Sequence, residues 1–209
     1  RLHIEQRTNM LAGVSHDLRT PLTRMKLQIE MLTKNEDKAG LKEDVSQMEQ
    51  MLEAYLSFIK EKEIEIRVKS DISKLIGSII LDAKRNGDII SPKNIQTIDA
   101  KVRINDLRRA ITNLTSNACR ESKRVEISLI KKDKNALIII DDDGPGIKQK
   151  DYSSVFKAFY RVESSRNLST GGLGLGLTIA RDIARSHGGE IKLEKSNLGG
   201  LRATLSVPV

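Results

Sequence analysis

The chain has 209 residues, with 36 Lys and Arg against 28 Asp and Glu and a formal net charge of +8. That length buries a real core in one large domain or two small ones, while the scattered basic residues argue against nucleic acid as a partner and allow steering of an acidic protein. With aromatics at 3% and a single cysteine, the core must be aliphatic and no internal disulfide can form, and no apolar run is long enough to span a bilayer.

In chain order, Leu11, Val14, Leu18, Leu22, Met25, Ile29 and Leu32 recur in steps of three and four. That is the seam of a bundle helix. "KNEDKAG" interrupts it, and a second series follows at Leu41, Val45, Met48, Leu52, Tyr55 and Ile59. Two such helices around a short polar turn predict an antiparallel hairpin, and two hairpins predict a homodimeric four-helix bundle. The chain starts already in helical pattern, so it is expected to belong to something longer.

Past residue 60 the period changes. Ile64, Ile66 and Val68 alternate as in a strand, and Asp71 is placed to cap a helix bearing Ile72, Leu75, Ile76, Ile79 and Ala83. Short strand pieces are expected at Ile89–Ile90 and Ile95–Ile98, and Asp106 is expected to open a helix with Leu107, Ala110, Ile111 and Leu114 on one face. "RVEISLI", "ALIIIDD", "EIKLEK" and "RATLSVPV" read as strands, and a helix runs from Gly174 to about His187. There a cationic imidazole would suit the macrodipole. Cys119 is expected to be a small buried residue. The fold class predicted is therefore two domains: an all-α hairpin over residues 1–61 and an α/β sandwich over 62–209, its sheet largely antiparallel and covered on one side. A flexible joint is expected near Lys60–Glu65. The stretch from about Lys148 to Gly171 has the length of a lid or of a disordered segment.

Three stretches of the second domain carry chemistry. In "NLTSNACRE", Asn113 and Asn117 share a helix face, amide oxygens suit Mg²⁺, and Arg120 lies three residues on, within reach of a phosphate. In "DDDGPGI", Asp142 ends an aliphatic strand and can accept a hydrogen bond from an exocyclic amine; Gly144 and Gly146 allow a tight turn and close approach. "GGLGLGL" runs into an amphipathic helix and offers backbone N–H groups to an anion. It is neither a dinucleotide fingerprint nor a Walker loop. Taken singly, the first could be a solvated face and the second an acidic turn.

Together, in this order, the three resemble the N, G1 and G2 boxes of the Bergerat ATP-binding fold of sensor histidine kinases, gyrases, Hsp90 and MutL. "VFKAFYR" is similar to the kinase F box, with Phe156 and Phe159 as lid anchors, and "GGLRATLSVP" to the terminal Gly-Gly strand. "VSHDLRTPLT" resembles the H box of the HisKA dimerisation and phosphotransfer domain. The resemblance spans about Gln6 to Val209 and is nearest in wording to the osmosensor, EnvZ-like class of two-component kinases. It implies His16 as phosphoacceptor, Asp17 as its acidic neighbour and Thr20 as a support for dephosphorylating the partner. It further implies Asn117 as Mg²⁺ ligand with Asn113 nearby, Asp142 as adenine reader, and Gly172, Gly174 and Gly176 as the phosphate cradle. Two positions depart from the family pattern: Glu121 stands where an aromatic is common, and Leu173 replaces a threonine.

The residues of the H box bear on this separately. His16 lies two residues past the seam position Val14 and so points away from the bundle core, with Thr20 one turn on. A neutral imidazole is nucleophilic at physiological pH. Pro21 cannot donate to the carbonyl of Asp17, so a bend beside His16 is expected. The expected activity is autophosphorylation of His16 from Mg·ATP. Transfer to an aspartate of a response-regulator receiver domain should follow, with phosphatase activity toward the same partner. The setting expected is the cytoplasm, on a membrane-anchored whole protein. A nucleotide-sensing module acting mainly as phosphatase or scaffold, and an ATPase doing conformational work, are the competing readings.

Overall fold

The structure is a computed structural model, and it describes residues 22–31, 41–42, 45–46, 48, 65–158, 160 and 174–209. The chain divides into two compact units, Arg1–Ile64 and Glu65–Val209. His16, Asp17, Thr20, Pro21, Phe159, Gly172 and Leu173 lie outside the described residues.

In the first unit, residues 22–30 are helical, as are the described positions 41–42, 45–46 and 48. Leu22, Ile29 and Val45 bury one another, which agrees with facing seams of a hairpin. An exposed ion pair joins Lys42 to Glu30. Met25, Leu41 and Met48 are on the predicted stripes yet stay 43–50% exposed in the single chain.

The second unit runs β1 (Val68–Asp71), α1 (Ile72–Arg85), β2 (Ile90–Ile95), β3 (Asp99–Val102), α2 (Ile104–Glu121), β4 (Val125–Lys132) and β5 (Asn135–Asp142). Two short 3₁₀ turns follow, Gln149–Asp151 and Ser154–Phe156, then α3 (Gly176–Ser186), β6 (Ile191–Lys195) and β7 (Leu201–Pro208). β1 and β3 form a two-stranded ribbon, and the other strands form one sheet in the order β2-β4-β5-β7-β6. Only β2–β4 is parallel; the other pairs of that sheet are antiparallel. Alternation fixes the inner face: Val125, Ile127 and Leu129 on β4, Ala136, Ile138 and Ile140 on β5, and Leu201, Ala203, Leu205 and Val207 on β7 are all buried. Ile72, Ile76, Leu107 and Ile111 of α1 and α2 are fully buried as well. Each such side chain contributes about 1.5–3 kcal/mol on burial. The buried apolar core of the described residues is wholly aliphatic, as the scarcity of aromatics demands.

Local chemistry explains the start of α1. Asp71 caps α1, its carboxylate accepting from the amides of Ser73 at 2.9 Å and Lys74 at 3.2 Å. The bond from the Ser73 hydroxyl foremost, and these amide bonds with it, hold its pKa below the usual carboxylate range. Other ends differ from expectation. Helix α2 opens at Ile104, not at Asp106; Asp106 instead sits in the first turn and binds Nε of Arg103 at 2.5 Å. The cap comes from far away in sequence: the Glu65 carboxylate accepts from the amides of Asn105 (3.0 Å) and Asp106 (3.3 Å). An anion there satisfies orphan donors and the helix dipole together.

The pieces at Ile89–Ile90 and Ile95–Ile98 are corrected to one edge strand, β2, with its register shifting between Pro92 and Asn94. Proline is tolerated there because an edge strand has one unpaired side. Ile66 and Val68 alternate but are 76% and 49% exposed, so their period marks no buried face.

His187 is corrected too. It caps α3 but is 4% exposed. Its Nδ1 lies 2.8 Å from the Ile183 carbonyl oxygen, and its Nε2 accepts from the Arg103 amide at 3.0 Å. Only a neutral ring with the proton on Nδ1 serves both contacts. Burial, followed by the nearby Arg103 and Arg67 charges, pushes its pKa down against the opposing Ile183 bond and Asp106 charge. The ring is a neutral bridge from the end of α3 to the start of α2, not a cation on a dipole.

Candidate nucleotide-binding site

The sequence places three aspartates in a row at the end of β5, and the fold gives each a different partner. Asp141 is turned to the outer face and takes a two-pronged ion pair from Arg202 of β7, at 2.8 and 2.9 Å. Asp143 is exposed and closes the turn before β4 by accepting from the amides of Lys123 and Arg124, both at 2.9 Å; those bonds, that to Arg124 foremost, hold its pKa down. Asp142, between them, faces inward and is 6% exposed. Its Oδ1 accepts from the amides of Gly144 (2.9 Å) and Leu201 (3.0 Å). The two donors fix the carboxylate plane and leave Oδ2 as the oxygen for an outside donor. Burial raises the Asp142 pKa, its aspartate neighbours add to that, and the two amide bonds oppose it.

Helices α2 and α3 carry the described parts of the other motifs. The carboxyl end of α2 meets the Asp142–Gly144 turn so closely that a Cβ on Gly144 would fall 2.5 Å from the Glu121 carbonyl oxygen. Gly144 is thus required by backbone against backbone, before any ligand is considered. Gly146 and Gly174 have φ of +66° and +70°, where glycine carries no steric penalty. Farther up α2, Asn113 lies against the first residue of α3: a Cβ on Gly176 would touch Asn113 Cβ and Cγ at 3.8 and 3.9 Å. Asn113 Nδ2 is buried and has no hydrogen-bond partner among the described residues. An orphaned buried donor is expensive, costing about 1–3 kcal/mol, and here it sits where the α2 face meets the amino end of α3. Asn117 is half-buried one turn on, while Arg120 and Glu121 are exposed. Cys119 is half-buried rather than buried, and burial pushes its thiol to about 11, so it is a protonated, unreactive group.

The F-box stretch is also fastened to α3. The Thr178 hydroxyl donates to the Phe156 carbonyl at 3.0 Å, and the Arg181 guanidinium stacks 4.5 Å from the Phe156 ring centroid. Arg181 is itself held by Glu190 at 3.0 Å. Thr178 and Arg181 were not among the residues singled out from sequence; they lie in the first and second turns of α3, on a helix face that only the packing identifies.

These features test whether the chain suits an adenine nucleotide with Mg²⁺. They fit: a buried carboxylate with one oxygen committed inward, an unsatisfied amide donor, the amino end of a helix rich in glycine, and amide oxygens of the type that a hard cation accepts. No group of three or more His, Cys, Asp or Glu side chains able to hold a metal occurs among the described residues.

Comparison with known proteins agrees. Residues 102–209 match the family described as histidine kinase-, DNA gyrase B- and HSP90-like ATPase, and residues 6–88 match the His Kinase A (phospho-acceptor) domain. The sensor histidine kinase GtrS of Pseudomonas aeruginosa is 31% identical over 208 residues, covering 99% of this chain and 43% of that protein. The sensor protein RstB of Escherichia coli is 33% identical over 221 residues, covering 99% and 50%. The chain therefore spans about half the length of the curated relatives it matches. Among solved structures, the ATP-binding domain of PrrB from Mycobacterium tuberculosis superposes with a TM-score of 0.58 at 29% identity, over 68% of this chain and 96% of that one. The histidine kinase domain of the E. coli osmosensor EnvZ gives 0.54 at 27%, over 72% and 92%. With a helical phosphoacceptor domain and an ATPase sandwich in one polypeptide, the chain belongs to the sensor histidine kinases of two-component systems.

Proposed function

We propose that this chain is the catalytic core of a homodimeric sensor histidine kinase that phosphorylates itself on His16 and passes the phosphoryl group to an aspartate of a response-regulator receiver domain. What supports this reading is that helix α2 meets the Asp142–Gly144 turn at its carboxyl end and lies against the amino end of α3 at Asn113, in a chain whose other unit bears the His16–Asp17 pair. Asp142 Oδ2 would take the adenine amine, and the α3 amino end with Gly172, Gly174 and Gly176 would face the phosphates. Asn117, helped by Asn113, would hold Mg²⁺, which supplies charge neutralisation on the phosphates. Phosphoryl transfer then needs little beyond in-line placement of a neutral imidazole. Asp17 would orient that ring and take its proton.

Dimerisation is supported by Met25, Leu41 and Met48, which leave an apolar stripe uncovered on the single hairpin. Thr20, one turn beyond His16, supports phosphatase action toward the regulator. No helix among the described residues is long and apolar enough to cross a membrane. We place this core on the cytoplasmic side of a membrane-anchored protein, by analogy with its relatives.

Incubation with γ-labelled ATP and Mg²⁺ tests the central step. The intact chain should acquire acid-labile, base-stable label, and His16→Ala should acquire none. Label persisting on His16→Ala would move the phosphoacceptor elsewhere.

A further inference from the structure

The turn between β6 and β7 leads into the terminal Gly-Gly strand, and it forms the wall against which Asp142 rests. The turn is closed on itself: the Ser196 amide donates to the Gly200 carbonyl at 2.9 Å, and the Gly199 amide to the Ser196 carbonyl at 3.1 Å. The buried Ser196 side chain accepts from the Leu198 amide at 3.0 Å. From this closed turn two successive amides reach Asp142, that of Gly200 to its carbonyl at 3.1 Å and that of Leu201 to Oδ1 at 3.0 Å. Gly200 is wedged among the groups that shape the site. A Cβ placed on it would overlap Asp142 Oδ1 outright and lie 2.5 Å from the Gly144 amide nitrogen and 2.8 Å from the Asp142 carbonyl oxygen. These neighbours are backbone, or a side chain pinned by two backbone donors. None can give way without moving the carboxylate.

We propose that Gly200 is a positioning residue that sets base specificity: its missing side chain lets the β6–β7 turn clamp Asp142 so that Oδ2 faces the exocyclic amine of adenine. The proposal rests on the adenine-reading role given to Asp142 above. A methyl group at residue 200 would rotate or displace the carboxylate and loosen the Gly144 and Leu201 bonds. Oδ2 then no longer meets the amine, while the phosphate and metal contacts, held by other elements, remain. The loss is thus confined to ligands that carry the amine. A hydrogen bond to a charged acceptor corresponds to roughly ten- to a hundredfold in affinity.

The test measures binding of ATP and of purine riboside triphosphate, which lacks the amine, to the full chain and to Gly200→Ala by calorimetry. The intact chain should prefer ATP by about tenfold or more. In Gly200→Ala that preference should collapse to within about twofold, with affinity for the amine-free analogue nearly unchanged. In an Asp142→Asn background the same substitution should add nothing. Equal weakening of both nucleotides, or an unchanged preference, overturns the proposal. Absence of any preference in the intact chain would instead refute the adenine-reading role of Asp142. Should Gly200→Ala fail to fold, Ser196→Ala loosens the same turn. A reduced ATP preference in that folded variant supports the clamp, and an unchanged one overturns it.

Discussion

Acid should loosen the second unit through a single imidazole. In the fold, His187 is neutral and 4% exposed, with Nε2 accepting from the Arg103 amide at 3.0 Å. Adding a proton places N–H against N–H, beside two arginines. Burial therefore lowers the folded pKa below the unfolded value of about 6.5. The unfolded chain binds this proton first, so stability is fully present above that pH and is lost as pH falls toward the lower folded pKa. Within that window the slope approaches about 1.4 kcal/mol per pH unit. Taking the chain from pH 6.5 to 5.5 should then cost up to about 1 kcal/mol, or roughly 2–4 °C in Tm. His187→Gln removes the titration while keeping a polar side chain. The chain has three histidines, and the other two are common to both proteins, so the difference between their pH slopes isolates His187. Thermal melting followed by circular dichroism from pH 8 to 5 is the assay, with exchange of the Arg103 amide as a local probe. Equal slopes in the two proteins would refute the neutral-bridge assignment. A stability that rises on acidification would reverse it.

The remaining predictions concern the site and its supports. Asp142→Asn should weaken ATP binding about ten- to a hundredfold, and in the unaltered chain ATP affinity should fall on acidification at a higher pH than an ordinary carboxylate would give, because the Asp142 pKa is raised; titration calorimetry across pH 4–8 reads both. Arg202→Met leaves the Asp141 carboxylate, 4% exposed, without its two-pronged partner, and should cost about 3 kcal/mol in urea unfolding while leaving Asp142 in place. Glu65→Gln should lower stability by roughly 1 kcal/mol and speed hydrogen exchange at Asn105 and Asp106, whose amides the carboxylate caps; unchanged exchange there would show that the cap is not formed in solution.

What could be read from the letters follows the range of the interaction. Helix α1 was legible because both its signals are local: Asp71 beside the first turn, and Ile72, Leu75, Ile76 and Ile79 at helical spacing. The sheet strands β4, β5 and β7 were legible by alternation. The start of α2 was not, since its cap is a carboxylate some forty residues upstream, and nothing around Arg103 announces it. Strand β2 was split in two by Pro92, because proline is tolerated only on an edge and edges are a property of the finished sheet. In the site, the spacing around Gly144 and Gly146 drew attention to Asp142, the carboxylate that the fold turns inward. The turn that orients it could not be seen, because Gly200 and Leu201 meet Asp142 across fifty-nine positions of chain. A structural place for His187 at the end of α3 was legible, but its neutral state was not, because its acceptor duty toward Arg103 spans eighty-four positions.

The aspartate triplet at the end of β5 resembles redundancy, three copies of one letter where one would do. The fold uses it as a frame. Pairing places Asp141 opposite Arg202 and Asp142 opposite Val125, and successive side chains leave a strand on opposite faces. Deleting one residue upstream in β5 would leave an aspartate at two of the three places and preserve most of the local charge. It would also turn the strand's apolar side outward and offer the wrong carboxylate to Arg202, to the clamp and to the turn. Point changes at the triplet should therefore be graded in effect, whereas a single-residue insertion or deletion in β5 should be lethal to both folding and nucleotide recognition, however similar the resulting sequence looks.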